Sequence, residues 1–164
     1  MRSVKLTVLL SSFLLLAPTV SQATQDSFAG LFAPPPSWVQ VSSPQRSMYV
    51  FQTNPDKEKS LFVTIRFINV PKQTAMEWAQ DEARALAEKQ GAKPLISPAE
   101  IKVGKNAFVN LRSQLAVPGK DYVSDQYFGQ PVTGLVVEVA AVGSSAVLVS
   151  EKQNLNSLLS SFSF

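Results

Sequence analysis

Histidine and cysteine are both missing from this 164-residue chain. Without histidine it lacks the side chain that ordinarily changes charge near neutral pH and the commonest metal ligand. No serine–histidine or cysteine–histidine pair can be built. Without cysteine it forms no disulfide, which a domain of this size does not need. Single-signed charge is absent too: 15 basic residues face 12 acidic ones. Interspersed signs give no electrostatic case for nucleic acid or an anionic surface. No apolar run reaches the roughly 18–20 residues that span a bilayer.

The start of the chain carries an address. Met1 to Lys5 is short and basic, Leu6 to Ala17 is apolar apart from Thr7, Ser11 and Ser12, and Ser21-Gln22-Ala23 offers small residues for cleavage. Residues 1–23 therefore read as a secretory signal, with Thr24 as the mature start. Arg2 and Lys5 leave with it, so thirteen basic residues remain against twelve acidic ones. A bacterial lipoprotein needs a cysteine just after its signal. Here Thr24 follows, so the expectation is a soluble periplasmic or secreted protein with no stable membrane anchor after cleavage.

The remainder has the length of one domain. Residues 24–36 form a lead-in with apolar Phe28, Leu31 and Phe32 before Pro34-Pro35-Pro36, and residues 37–164 form the domain itself. Ser37 to Val41 and Met48 to Thr53 read as short strands about a turn at Ser42 to Gln45. In Leu61 to Val70, Leu61, Val63, Ile65 and Phe67 share one face. The period then changes. Thr74-Ala-Met-Glu77 is a capping box opening a helix over Ala75 to Gln90, and Gly91 suits the left-handed position past its end. Strands follow at Glu100–Val103, Ala107–Val117, Tyr122–Phe128 and Leu135–Val142, with turns at Gly104–Asn106, Val117–Lys120 and Gly129–Pro131. Ser150 to Gln153 reads as a second capping box for a short closing helix with Leu155, Leu158 and Leu159. The expected class is α+β: a twisted antiparallel sheet carrying one long helix and a C-terminal helix.

With Pro35-Pro36-Ser37-Trp38 before the first strand, Leu61 to Arg66 before the helix, Thr74 to Ala79 opening it, Ile101 to Ala107 as a hairpin and Leu155 to Phe162 as the close, the chain resembles the PsbP-like family. Within it, it is similar to the DcrB-type bacterial periplasmic proteins. The resemblance covers essentially the whole mature chain. It implies a sheet with helices on its faces and a non-enzymatic role, binding or assisting other envelope proteins. It carries over no catalytic residue and no cofactor. Many DcrB-type members are lipoproteins, and this chain departs from them there.

The residues also permit weaker chemistries. Ser60 beside Lys59 is a conceivable serine–lysine pair, although hydroxyls in turns are ordinary. Asp81-Glu82 and Asp121 with Asp125 are candidate carboxylate pairs for a histidine-free hydrolase, the alternative to a binding protein. It requires a cleft with one buried, proton-bound carboxylate. A charged helix face is usually solvated instead. Gly104-Lys105-Asn106 lacks the rest of a phosphate loop and reads as a turn. Arg66, Asn110, Arg112 and Glu138 sit at mid-strand positions and would line a polar groove if their strands were neighbours. Phe28, Leu31 and Phe32 would either fold back on the sheet or reach a partner. These seven are the candidate partner-binding residues, the partner being an envelope or secreted protein. No catalytic residue, metal ligand or cofactor is expected.

Overall fold

The computed structural model describes residues 28–41 and 47–164. The expected signal, residues 1–23, and the expected turn at Ser42 to Gln45 lie outside them. Seven strands form one antiparallel sheet: β1 (Val39–Val41), β2 (Met48–Gln52), β3 (Phe62–Asn69), β4 (Lys93–Val103), β5 (Asn106–Gln114), β6 (Tyr122–Val132) and β7 (Leu135–Ser144). Their spatial order is β1-β2-β3-β7-β6-β5-β4. Two helices, α1 (Ala75–Gln90) and α2 (Ser145–Ser161), pack on opposite faces of it. The class is α+β, as the sequence implied.

Strand β3 follows its alternation: Leu61, Val63 and Ile65 are fully buried and Phe67 nearly so, while Phe62, Thr64, Arg66 and Ile68 are half-buried on the other side. The first set joins Phe51, Val137, Val139, Leu155, Leu158 and Phe162 in the core under α2. The second face meets α1 through Ala75, Ala79 and Leu86 against Val109, Leu111, Phe128 and Val136. Both halves of the capping box are made, Thr74 Oγ1 accepting from the Glu77 amide and Glu77 from that of Thr74. Gly91 ends the helix at φ 60°, its amide donating to Ala87. That conformation penalises a side chain.

Several boundaries differ from the sequence reading, three of them for a clear physical reason. Strand β4 starts at Lys93 and runs through Pro94 and Pro98, with register shifts beside each. It is the sheet's edge, where a missing amide donor is tolerated. Strand β6 continues past Gly129 to Val132, and Thr133-Gly134 makes the turn. A Cβ on Gly129 would lie 2.6 Å from Phe164 Cζ and 3.0 Å from Phe108 Cε1, so this glycine serves close packing. Helix α2 starts at Ser145, capped by Ser144 Oγ, which accepts from the Val147 amide at 3.3 Å. The Ser150 hydroxyl instead donates to Val147 O within the helix. Ser144 has no acidic residue or glutamine three places on, so the true start carries no capping-box signature.

Candidate functional site

Strand register decides which polar residues meet. Arg66 on β3 lies opposite Glu138 on β7, on the α1 side of the sheet. Asn110 and Arg112 on β5 lie opposite Tyr127 and Asp125 on β6, on the α2 side shared with Phe108. The four mid-strand residues therefore line no shared groove. Each strand alternates faces, and the parity of β5 places its polar residues on the side opposite to those of β3 and β7.

On the α1 side, Arg66 Nη2 and Glu138 Oε2 are 2.5 Å apart, with the carboxylate 1% exposed. Gln126 Nε2 lies 3.4 Å from Glu138 Oε1. Glu82 reaches the same group from α1. Burial, then the charge of Glu138, pushes its carboxyl up to about 7, against opposing pulls from Arg66, Gln126 and Lys89. Burial opposes the charge on Arg66, yet Glu138 outweighs it and holds the guanidinium above its usual range. Gln126 Oε1 and Ser124 Oγ are buried here without a hydrogen-bond partner. The sequence reading set Asp81 and Glu82 together on a charged outer face. The structure separates them: Asp81 is exposed and meets Gln73 and Arg84, whereas Glu82 turns toward the sheet.

On the α2 side, Asp125 is the hub. Its Oδ1 accepts from Asn110 Nδ2 at 2.9 Å, and its Oδ2 accepts from Arg112 Nη2 and from the Tyr127 hydroxyl, both at 2.7 Å. Burial and the neighbouring carboxylate raise the Tyr127 phenol well above its ordinary value. The hydrogen bond that Arg112 donates to Asp125 raises the guanidinium above its usual range. Asp125 is 1% exposed, while Asp121 is exposed and accepts from Gln114, so these two form no catalytic pair. Sequence alternation marked Asn110 and Arg112 only as polar mid-strand residues. The acceptor that draws them inward comes from another strand.

The apolar lead-in folds back. The Phe28 ring stacks on Phe67 at 4.2 Å, and Phe32 packs edge-on to Tyr49 at 5.2 Å and against Phe162 at 5.5 Å. Leu31 O accepts from the Ser163 amide at 3.0 Å, and the Ala33 amide donates to Ser161 Oγ at 2.8 Å. Trp38 is buried, its indole donating to Glu151. This segment closes the core and offers no free patch at Phe32.

Ser60 is buried and bonded to the backbone of Thr53 and Leu61, while Lys59 meets Asp56, so they form no serine–lysine pair. Gly104-Lys105 is the β4–β5 turn. A wide-mouthed cavity of about 660 Å³ lies between Pro71–Thr74 and Gln130–Thr133. Its helix end is already occupied, since Gln130 Oε1 accepts from the Ala75 amide. Among the described residues, no three acidic side chains are grouped to hold a metal, and no helix is long and apolar enough to cross a membrane.

Helix α1 lies over β4, β5 and β6. On the same side, the register aligns Val39, Gln52, Phe62 and Val142 in one row, with Val41 and Thr64 in the next. Val39 is 56% and Val41 36% exposed, and Phe62 and Val142 are half-buried.

No family model and no curated protein matches the chain. Solved structures do. LpqN of Mycobacterium tuberculosis, described as involved in cell envelope biogenesis, has a TM-score of 0.61 at 14% identity over 78% of each chain. CyanoP, the PsbP protein of Synechocystis, has a TM-score of 0.56 at 12% identity over 80% of this chain and 84% of its own. A Pseudomonas aeruginosa protein of unknown function has a TM-score of 0.53 at 17% identity, over 78% of this chain and 97% of its own. The fold is that of the PsbP-like proteins. The DcrB-type subdivision rests on the sequence resemblance alone.

Proposed function

We propose that this protein is a non-enzymatic accessory protein of the cell envelope, acting in the periplasm or after secretion through contact with another protein, in a chaperone-like, adaptor or immunity role. The observation that carries the reading is the sheet face beside α1, where Val39, Val41, Phe62 and Val142 share one side with Arg66 at its inner border. Strands β1, β2, β3 and β7 span on the order of 15 Å at about 4.8 Å per strand. That width accepts one helix of about 10 Å, and an amphipathic helix of the partner is the occupant we assign to it. The likeness to LpqN and CyanoP supports the reading through fold, and the leader supports an extracytoplasmic site. Arg66 pairs with Glu138 and Arg112 with Asp125 across strands, which favours binding over hydrolysis, while Glu82 on α1 stands outside these pairs. The cavity gives little support to the hydrolase: Glu82 lies eight residues beyond Thr74, about 12 Å along the helix.

The test places a photocrosslinking residue at Val39 or Phe62 and, for comparison, at Val149 on α2, in cells that make the protein. One envelope partner captured from the sheet positions and lost in Phe62→Asp is the expected result. Capture from Val149 alone, or from none of the three, would overturn the assignment.

A further inference from the structure

Strand β4 ends the strand order, and its two halves differ. From Lys93 to Pro98 it carries Pro94 and Pro98, and its register on β5 shifts beside each. Both devices hinder the addition of another strand to an edge. From Ala99 to Val103 the register is unbroken and there is no proline. Among the described residues, no further strand pairs with this stretch.

Hairpin geometry decides which backbone groups are open there. Val103 and Asn106 flank the two-residue turn Gly104-Lys105, with Gly104 at φ 61°. The pair flanking such a turn exchanges both main-chain hydrogen bonds, and every second pair after it does the same. Ile101 with Phe108 and Ala99 with Asn110 are therefore the bonded pairs. The amides and carbonyls of Glu100 and Lys102, which alternate with them, point away from the sheet. Their side chains are exposed on the face opposite to Ile101, which packs against the α2 core. Among the described residues, neither side chain has a hydrogen bond or an ion pair.

An edge that presents one glutamate and one lysine two places apart is complementary to itself in a single register. We propose that the chain forms a two-fold dimer through Ala99–Val103 of β4, joining two sheets of seven strands into one. With the axis at Ile101, Glu100 faces the partner's Lys102 and Lys102 faces the partner's Glu100. Each of these pairs exchanges two main-chain hydrogen bonds, and its side chains stand about 5 Å apart at Cβ. Sliding the copies by two residues sets Glu100 on Glu100 or Lys102 on Lys102, which repel. Sliding by one sets the open backbone groups against groups already bonded to β5. The face assigned above to a partner helix lies at the other end of the sheet, so the dimer leaves both copies of it open. The dimer does not rest on that assignment.

Sedimentation equilibrium of the purified protein over roughly 1 μM to 1 mM tests it, because so short an interface gives a weak, concentration-dependent dimer. Lys102→Glu sets like charges across the axis twice and should weaken association by roughly tenfold or more. Glu100→Lys should do the same. The double variant Glu100→Lys/Lys102→Glu exchanges the signs and should restore association, which a loss of folding cannot produce. The absence of cysteine allows a second reading. Two Ile101→Cys thiols meet across the axis with Cα atoms about 4.5 Å apart, a spacing that a disulfide spans. Mild oxidation should link that variant into dimers much faster than Val39→Cys, which sits on the opposite edge strand. A monomer throughout the range, a dimer indifferent to the single reversals, a double variant as weak as the singles, or no faster linking at Ile101→Cys would overturn the proposal.

Discussion

Asn106 Nδ2 donates to the carbonyl of Leu159 at 3.0 Å and to that of Phe162 at 2.9 Å, so a side chain at the β4–β5 turn closes the C-terminal end of α2. The last carbonyls of a helix have no partner within it and need one from outside. Asn106 is 1% exposed, and water cannot replace it. We expect Asn106→Ala to lower stability by about 1–3 kcal/mol, read as a lower urea midpoint with unchanged slope. An unchanged midpoint would show that α2 finds another terminator.

The Arg66–Glu138 pair should behave asymmetrically. Removing one partner leaves a buried charge, so Arg66→Met or Glu138→Leu alone should cost about 3–5 kcal/mol. The double variant should be much closer to the native protein, because neither member of the pair is left without its partner. Denaturant melts of the four proteins form the cycle, and additive single effects would contradict a direct pairing.

Gly129 and Phe164 make a steric prediction. A methyl at Gly129 would meet the Phe164 ring at 2.6 Å. Gly129→Ala should therefore destabilise by about 1–3 kcal/mol. Phe164→Ala added to it should restore part of that loss, a rescue that thermal melts would detect and that a purely conformational role for the glycine would not produce.

Stability should fall with rising pH across one window. Glu82 is raised from 4.5 to about 7, so between those values the folded chain keeps a proton that the unfolded chain has released. The folded state binds more protons there, so stability declines through the window and levels above it. The size is on the order of 2 kcal/mol, allowing for screening on its open side. Urea midpoints taken from about pH 4.5 to about pH 8 check this, and Glu82→Gln should flatten the curve.

Much of this molecule was legible without coordinates. The period-two run at Leu61–Phe67 and the box at Thr74–Glu77 are local signals, and both elements form where those signals place them. The errors fall where local chemistry was ambiguous. Pro94 and Pro98 argue against a strand unless the strand is an edge, and being an edge depends on the order of the whole sheet. Gly129 looks like a turn residue until the ring of Phe164, thirty-five places on, fills the space beside it.

The site divides in the same way. Composition alone removed histidine and cysteine chemistry, and alternation alone identified Arg66, Asn110, Arg112 and Glu138 as polar mid-strand residues. That Arg66 pairs with Glu138 while Asn110 and Arg112 gather on Asp125 across the opposite face follows from the register of β3 on β7 and β5 on β6. The inward turn of Glu82 follows from the seating of α1 on the sheet. A sequence specifies side-chain chemistry and local period. Which groups share one buried environment, and so which charges shift, is decided only when distant strands pair and a helix covers them.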